Sequence, residues 1–352
     1  MKQRAITIKD IATALNLSPS TVSKALKGSY EISAKTQAIV KEHAQQQNYR
    51  PNPIAQNLRK GSSKTIAVIV PNIDNNFFSQ VINGIESVAF KKDYNVIVTQ
   101  THESYQREVL NTQHHFSRSV DGLLVSLSAE SENTEHFNQV QKNGLPIVFF
   151  DRAPEEIETH KVVSNNLQGA YHATIHLIEQ GYTRIAQITS SGFLSITAER
   201  LSGYIKALEE KNIKVKKEFI KYCAHGGMIK DEISQAVKEL LALKVKPDAI
   251  ITASDRLSTT TLSILSEMKI KVPEQIALAG FTNSINADIF DPPLTAVVQP
   301  AFEMGKTATG MLIQLIESKR PVTQFEKRIL DTELIIRESS VNGNARLIHN
   351  RK

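Results

Sequence analysis

Residues Ile6 to Gly28, reading ITIKDIATALNLSPSTVSKALKG, constrain this chain more than any other stretch. Thr7 is placed to cap a helix and Asp10, three residues later, to reach back to it, while Ile8, Ile11, Ala12 and Leu15 fall on one helical face. A turn follows at Asn16-Leu17. Ser18 then supplies a second cap and Pro19 the first helical position, where a missing N–H costs nothing, and Val22, Ala25 and Leu26 form the inward stripe. The stretch predicts two short helices joined by a tight turn, a helix-turn-helix.

In that motif the second helix enters the major groove with its N-terminal residues against base edges. The outward residues there are Pro19, Ser20, Thr21, Ser23 and Lys24, hydroxyls and an amine at a positively polarised helix start, none of them needed for a core. A capped helical hairpin without DNA function would give the same local pattern. Charge separates the two readings. Residues 1–60 carry ten Lys/Arg against Asp10, Glu31 and Glu42, a formal +7, whereas the whole chain is +6. The basic excess therefore sits at the end that holds the motif, where it would neutralise phosphates and make affinity fall with salt.

At 352 residues the chain is too long for one compact core. Its one cysteine, Cys223, cannot form an internal disulfide. The N-terminus MKQRAITIKD has no apolar segment of signal-peptide length and no run approaches a membrane span, so a cytoplasmic protein is expected.

A third helix is predicted over Ala34–Gln47, with Ile39, Val40, His43 and Ala44 inward, closing a three-helix headpiece over residues 1–50. Next, over 51–63, Asn52 and Pro53 can start a helix of about two turns, below the ~12–15 residues that hold alone in water, so it is expected to order only when bound. Its lone Leu58 suits a minor-groove wedge, and equally a plain linker with one buried leucine. From Lys64 onward strand patterns (65–70, 95–99, 122–126, 146–150, 184–189, 219–222, 249–252 and 276–280) alternate with amphipathic helices (78–92, 106–117, 167–180, 198–211, 229–243, 256–268 and 302–317). Such alternation predicts parallel sheets covered on both faces, in two doubly wound lobes that bind ligand outside the carboxyl ends of their strands.

Together these residues resemble the lactose-repressor/galactose-repressor family of bacterial transcription regulators. TIKDIATALNLSPSTVSKALKG resembles the family headpiece and YRPNPIAQNLRKGSSKTIAVIVP its hinge, while DGLLV, VFFDR, RLSGY, ASDR, VPEQIALAGF and LTAVVQP follow the order of its regulatory core. The resemblance implies an all-α helix-turn-helix headpiece plus an α/β periplasmic-binding-protein-like core of two doubly wound parallel-sheet lobes. The core is expected over 64–338, with one lobe over about 64–160 and 292–322 and the other over about 161–291 and 323–338. A short basic tail, 339–352, offers no heptads, which favours a homodimer over a tetramer. Candidate DNA contacts are Thr7, Ser18, Ser20, Thr21, Ser23, Lys24 and Lys27 in the headpiece and Asn52, Ala55 and Leu58 in the hinge, on a palindromic double-stranded operator. Candidate effector contacts, by the same resemblance, are Asn75, Phe77, Phe78, Asp151, Arg200, His225, Asp255 and Thr282.

Aromatic faces pack the apolar side of a sugar or purine, and Arg and Asp grip its polar groups. Each residue also has a plainer use: Asp255 as a helix cap, Arg200 in a structural ion pair, Phe77 or Phe78 in the core. Two positions depart from the family. Thr282 stands where an acidic residue is usual, which removes one hydroxyl acceptor, and Gln56 stands where the hinge usually has Arg. Leu194 and Ile196 make the neighbouring loop apolar, unlike the polar clamp of the purine-responsive member. His172 and His176 have helical zinc spacing but no third ligand, and the chain contains no GxxxxGK[ST], GxGxxG or GxSxG motif. No cofactor and no enzyme chemistry is expected. The expected function is that of an effector-controlled, sequence-specific DNA-binding regulator, a repressor whose effector is a sugar or sugar derivative; the alternative is a sugar-binding module with an incidental basic end.

Overall fold

The computed structural model describes residues 6–49, 62–131, 133–190 and 194–342. The chain divides into two compact units, Met1–Ser63 and Lys64–Lys352. The first holds three helices, α1 (Ile8–Ala14), α2 (Pro19–Leu26) and α3 (Ala34–Gln46). The predicted capping box is present: Thr7 Oγ1 accepts from the Asp10 N–H, and an Asp10 carboxylate oxygen accepts from the Thr7 N–H at 2.8 Å. Ser18 and Ser33 cap α2 and α3, accepting from Thr21 N at 3.0 Å and Thr36 N at 3.2 Å. Ile11, Ala12, Val22, Ala25, Val40 and Ala44 form the core. Ile39, expected inward, is 46% exposed, because a helix of this length presents only one stripe to two short neighbours and Val40 and Ala44 fill it. The hinge candidates Asn52, Ala55 and Leu58 lie outside the described residues.

In the second unit, β1 (Thr65–Val70) shows why its sequence is a continuous apolar run. Ile66, Val68 and Val70 face one core cluster and Ala67 and Ile69 another, so both faces of the strand are buried. Beside it run β2 (Asn95–Gln100), β3 (Gly122–Val125), β4 (Ile147–Phe150), β5 (Lys161–Ser164) and β11 (Lys327–Leu330), in a sheet ordered β11-β5-β4-β3-β1-β2 with every neighbour parallel. A second sheet contains β6 (Ile185–Ser190), β7 (Ile220–Cys223), β8 (Ala249–Thr252), β9 (Ala277–Phe281), β10 (Thr295–Val298) and β12 (Glu333–Ile335). Its order is β12-β10-β9-β8-β6-β7, parallel except for the antiparallel β10–β12 pair.

Helices cover both sheets: α4 (Asn76–Ala89), α5 (Tyr105–Ser117), α6 (Glu135–Lys142), α7 (Asn166–Glu179), α8 (Ser195–Glu210), α9 (Lys230–Ala242), α10 (Asp255–Glu267) and α11 (Ala301–Glu317). The chain passes between the sheets after β5, after β10 and after β11. These passages correct the expected lobe boundaries. β5 and β11 belong to the first lobe and β10 to the second, because Val162 pairs with Phe150, Ile329 with Val163, and Ala296 with Gly280. The connecting strands are only three or four residues long and include exposed Lys327 and Arg328, so they give no alternating signal.

In the first lobe α4 and α11 touch backbone to backbone. A Cβ on Gly84 would lie 2.1 Å from the Phe302 carbonyl oxygen, and one on Gly305 2.1 Å from that of Val81. Neither obstacle is a side chain that could swing away. Gly305→Ala should therefore separate the helices and cost about 1–3 kcal/mol or more, read as a lower unfolding midpoint of the core. An unchanged midpoint would show that this helix pair is loosely packed.

Candidate functional site

On the headpiece, the start of α2 is a cluster of hydroxyls. Ser18 Oγ lies 2.8 Å from both Ser20 Oγ and Thr21 Oγ1. Ser20, Lys24 and Lys27 are exposed, and Thr21 and Ser23 half-buried. Thr7 and Ser18 are exposed but already engaged as caps, so they set the entry of their helices as much as they offer contacts. Lys24 forms an ion pair with Glu31. Sequence reasoning missed Tyr30, 95% exposed between α2 and α3, because one tyrosine in a polar turn has no periodicity.

In the core unit, a cleft of about 1320 Å³ opens between the two lobes at the carboxyl ends of the strands. All eight sequence-selected residues, Asn75, Phe77, Phe78, Asp151, Arg200, His225, Asp255 and Thr282, line it. Asn75 follows β1 and caps α4, accepting from Phe77 N at 2.8 Å. Phe77 and Phe78 meet edge to face at 5.1 Å and serve two purposes, as core members and as cleft wall. His225 is different: it is exposed at the rim, tied through Nδ1 to Glu232 at 2.7 Å.

Asp255 is not a helix cap. Ser254 takes that place, accepting from Leu257 N, and the Asp255 carboxylate instead accepts a hydrogen bond from the Thr282 hydroxyl. Thr282 thus orients the Asp255 carboxylate at the cleft wall without adding a second carboxylate beside it. Arg200 is 4% exposed and makes no ion pair within the described residues. Its Nε donates to Asn166 Oδ1 at 2.9 Å, one terminal nitrogen to the Ala253 carbonyl at 2.6 Å, and the guanidinium stacks on Phe281 at 4.0 Å. Burial lowers its pKa to about 10, which still leaves it charged near neutrality.

Asp151, 4% exposed, stands in the left-handed region at φ 57°, a backbone choice that costs energy for a non-glycine residue. Burial holds its carboxyl above the ordinary range, with the charges of Arg152 and Arg200 and a hydrogen bond from Gln299 acting the other way. Burial likewise raises Asp255, against the Thr282 hydrogen bond.

Several bonds join the two lobes across this cleft. One Arg256 nitrogen reaches both oxygens of Asp74, at 2.9 and 2.7 Å. Asn283 donates to Gln80 Oε1 at 3.0 Å and Gln80 returns a bond to the Asn283 carbonyl at 3.1 Å. At the β10 crossing, Gln299 donates to Ser164 Oγ at 3.1 Å and to Asp151 at 3.4 Å. Asp74, Gln80, Asn283 and Gln299 were not legible in advance, since isolated polar residues in loops or on a helix face carry no pattern of their own.

Residues 7–52 match the family described as bacterial regulatory proteins, lacI family, and residues 174–340 match the periplasmic binding protein-like domain. The chain is 33% identical over 339 residues to the HTH-type transcriptional repressor CytR of Escherichia coli (strain K12), covering 96% of this chain and 97% of that protein. It is 31% identical over 336 residues to the HTH-type transcriptional repressor PurR of Aliivibrio salmonicida (strain LFI1238), covering 95% and 98%. Among solved structures, the transcriptional regulator CelR–cellobiose complex is similar with a TM-score of 0.68 at 26% identity, covering 95% of this chain and 99% of that one.

Proposed function

Since the chain belongs to the lacI family of DNA-binding bacterial repressors, we propose that it represses by binding a palindromic operator as a homodimer in the cytoplasm, and that an uncharged polyhydroxylated effector in the cleft sets its operator affinity. One observation carries the effector class. Arg200 is a buried donor and Asp151 a buried acceptor whose charge acts on it, yet no hydrogen bond or ion pair joins them. A hydroxyl group both donates and accepts, so vicinal hydroxyls of a sugar would satisfy the two together. The aromatic wall of Phe77 and Phe78 suits the apolar face of a sugar ring. The similarity to a regulator solved with cellobiose supports the same reading.

Ser20, Thr21, Ser23, Lys24 and Lys27 would face the operator, with Asn52, Ala55 and Leu58 in the hinge. Effector binding changes operator affinity only if the ligand favours one arrangement of the two lobes, and the cross-cleft bonds of Asp74, Gln80 and Asn283 belong to the arrangement seen here.

Asp151→Asn tests the site by splitting stability from binding. The folded-state pKa of Asp151 is raised above its unfolded value, so the native state favours the protonated form. That contribution is present in acid and lost as pH rises through the folded pKa. At neutral pH the variant should therefore melt higher when ligand-free, by about 0.5–2 kcal/mol, and the advantage should shrink as the solution is acidified through the folded pKa. Saccharide affinity should fall roughly tenfold or more, as expected for losing a hydrogen bond to a charged group. A variant that is no more stable and binds as before would remove Asp151 from the site.

A further inference from the structure

The face of α2 that would meet DNA is bordered by a carboxylate, whose unassisted effect would be to repel phosphate. Glu31 lies exposed in the turn between α2 and α3, and its side chain forms an ion pair with Lys24 on the outward face of α2. We infer that Glu31 is a specificity-determining residue of the headpiece, which aims the Lys24 ammonium at a guanine edge and withholds it from phosphates; this rests on the reading of α2 as the helix that enters the major groove.

The turn that carries Glu31 is built to hold it there. Gly28 takes the left-handed conformation at φ 71° just past the end of α2. The Ser29 N–H then donates to the Lys24 carbonyl at 3.0 Å and the Gly28 N–H to that of Ala25 at 3.1 Å, the paired bonds of a Schellman motif. The chain thus folds back over the backbone of Lys24 itself. From α3, the Gln37 side-chain amide donates to the carbonyls of Ser29 and Ile32, each at 2.9 Å, and Ile32 packs against the headpiece core. Both ends of the segment that holds Glu31 are therefore pinned, and the carboxylate meets Lys24 from a fixed turn seven residues away in sequence.

The chemistry follows from what an ammonium can do. A free lysine is a mobile point charge on a flexible stem and pairs with whatever phosphate it meets. Its ammonium is a donor only, so a bond to Glu31 fixes its direction and leaves its other N–H groups for the adjacent O6 and N7 acceptors of guanine. The carboxylate also cancels the charge that a phosphate would otherwise attract. Glu31 thus lowers affinity for DNA in general and raises discrimination at one base pair.

The test is selection from a random duplex pool by the full chain, followed by titrations on the enriched duplex, on its single-position variants and on random duplex at several salt concentrations. The unsubstituted protein should require G·C at one position of each half-site. Glu31→Gln should lower discrimination at that position about tenfold and leave the other positions as they were. Its affinity for random duplex should rise about threefold at low salt, with a salt slope steeper by about one, as expected for one cation released to a phosphate. Lys24→Gln should lose the same position, and adding Glu31→Gln to it should change discrimination there by no more than about twofold. Full discrimination in Glu31→Gln, a loss spread evenly over all positions, or an undiminished effect in the Lys24→Gln background would overturn the inference, leaving the ion pair as a surface contact of the turn. Enrichment of no sequence by the unsubstituted protein would overturn the reading of α2 as the groove helix, and this inference with it.

Discussion

Val22→Asp is expected to abolish operator binding and to leave saccharide binding by the core as it was. Val22 is fully buried in α2, at the centre of a headpiece core made of six small side chains. A carboxylate placed there has no partner, and burying an unpaired charge costs several kcal/mol or forces its protonation. A three-helix unit of this size has little stability to lose, because small domains bury a modest fraction of their surface. The headpiece should unfold, and the hydroxyl cluster of Ser18, Ser20 and Thr21 should lose its place at the start of α2. The core is a separate compact unit with its own four hydrophobic clusters. Gel-shift and calorimetric titrations on the same preparation read both halves. Retention of operator affinity would mean that DNA is not bound through this headpiece.

Arg200→Met is expected to have the converse effect. The substitution removes the buried guanidinium that bridges Asn166, Ala253 and Phe281 and faces the cleft, while keeping an apolar side chain against Phe281. Losing one partner of a desolvated, charge-assisted contact typically costs about 2–5 kcal/mol, on the order of 30-fold to several thousandfold in affinity. Saccharide binding should fall by that amount and operator binding without ligand should persist. Arg200→Lys should not rescue it, because an ammonium cannot reproduce the two fixed bonds and the stacked plane. Full binding by either variant would leave the buried Arg200 with a purely structural role.

How much of this was legible in the sequence depends on where each residue's signal comes from. The caps of α1 and α2 and the inward residues Ile11, Ala12, Val22 and Ala25 could be read directly, because capping and helical period are local. The eight strand patterns were legible because burial on both faces of β1 or β8 demands runs such as TIAVIV and AIIT. β5, β10, β11 and β12 were not, and with them went the lobe boundaries. β11 and β12, at sheet margins and largely exposed, owe their conformation to their neighbours, while β5 and β10 are buried inner strands whose runs KVVS and TAVV stand at the lobe crossings without the strand-helix alternation that marks the others. Helix α6 was missed for a similar reason, being eight polar-rich residues around Phe137 and Val140.

The cleft residues came from resemblance to a family, and the structure brings all eight to one cavity. What the sequence could not supply is how they are connected. That Ser254 and not Asp255 caps α10, that Thr282 orients Asp255, and that Gln80 clasps Asn283 across the cleft are all long-range pairings. The part of the cleft lined by His102, Glu103 and Tyr105 was invisible too. His102 and Glu103 stand consecutively at φ 50° and 66°, a conformation held by contacts from the β3 and β4 loops and not by local propensity.

The central claim is that ligand in the cleft and operator on the headpiece are energetically coupled, and coupling of this kind is reciprocal. The most direct measurement is calorimetric titration of the tightest-binding neutral saccharide into the full chain, alone and saturated with a palindromic duplex enriched from a random DNA pool. The account predicts that the two dissociation constants differ by about fivefold or more, with the operator's affinity changed by the same factor when the saccharide is saturating. Identical saccharide affinity in the presence and absence of operator would contradict it.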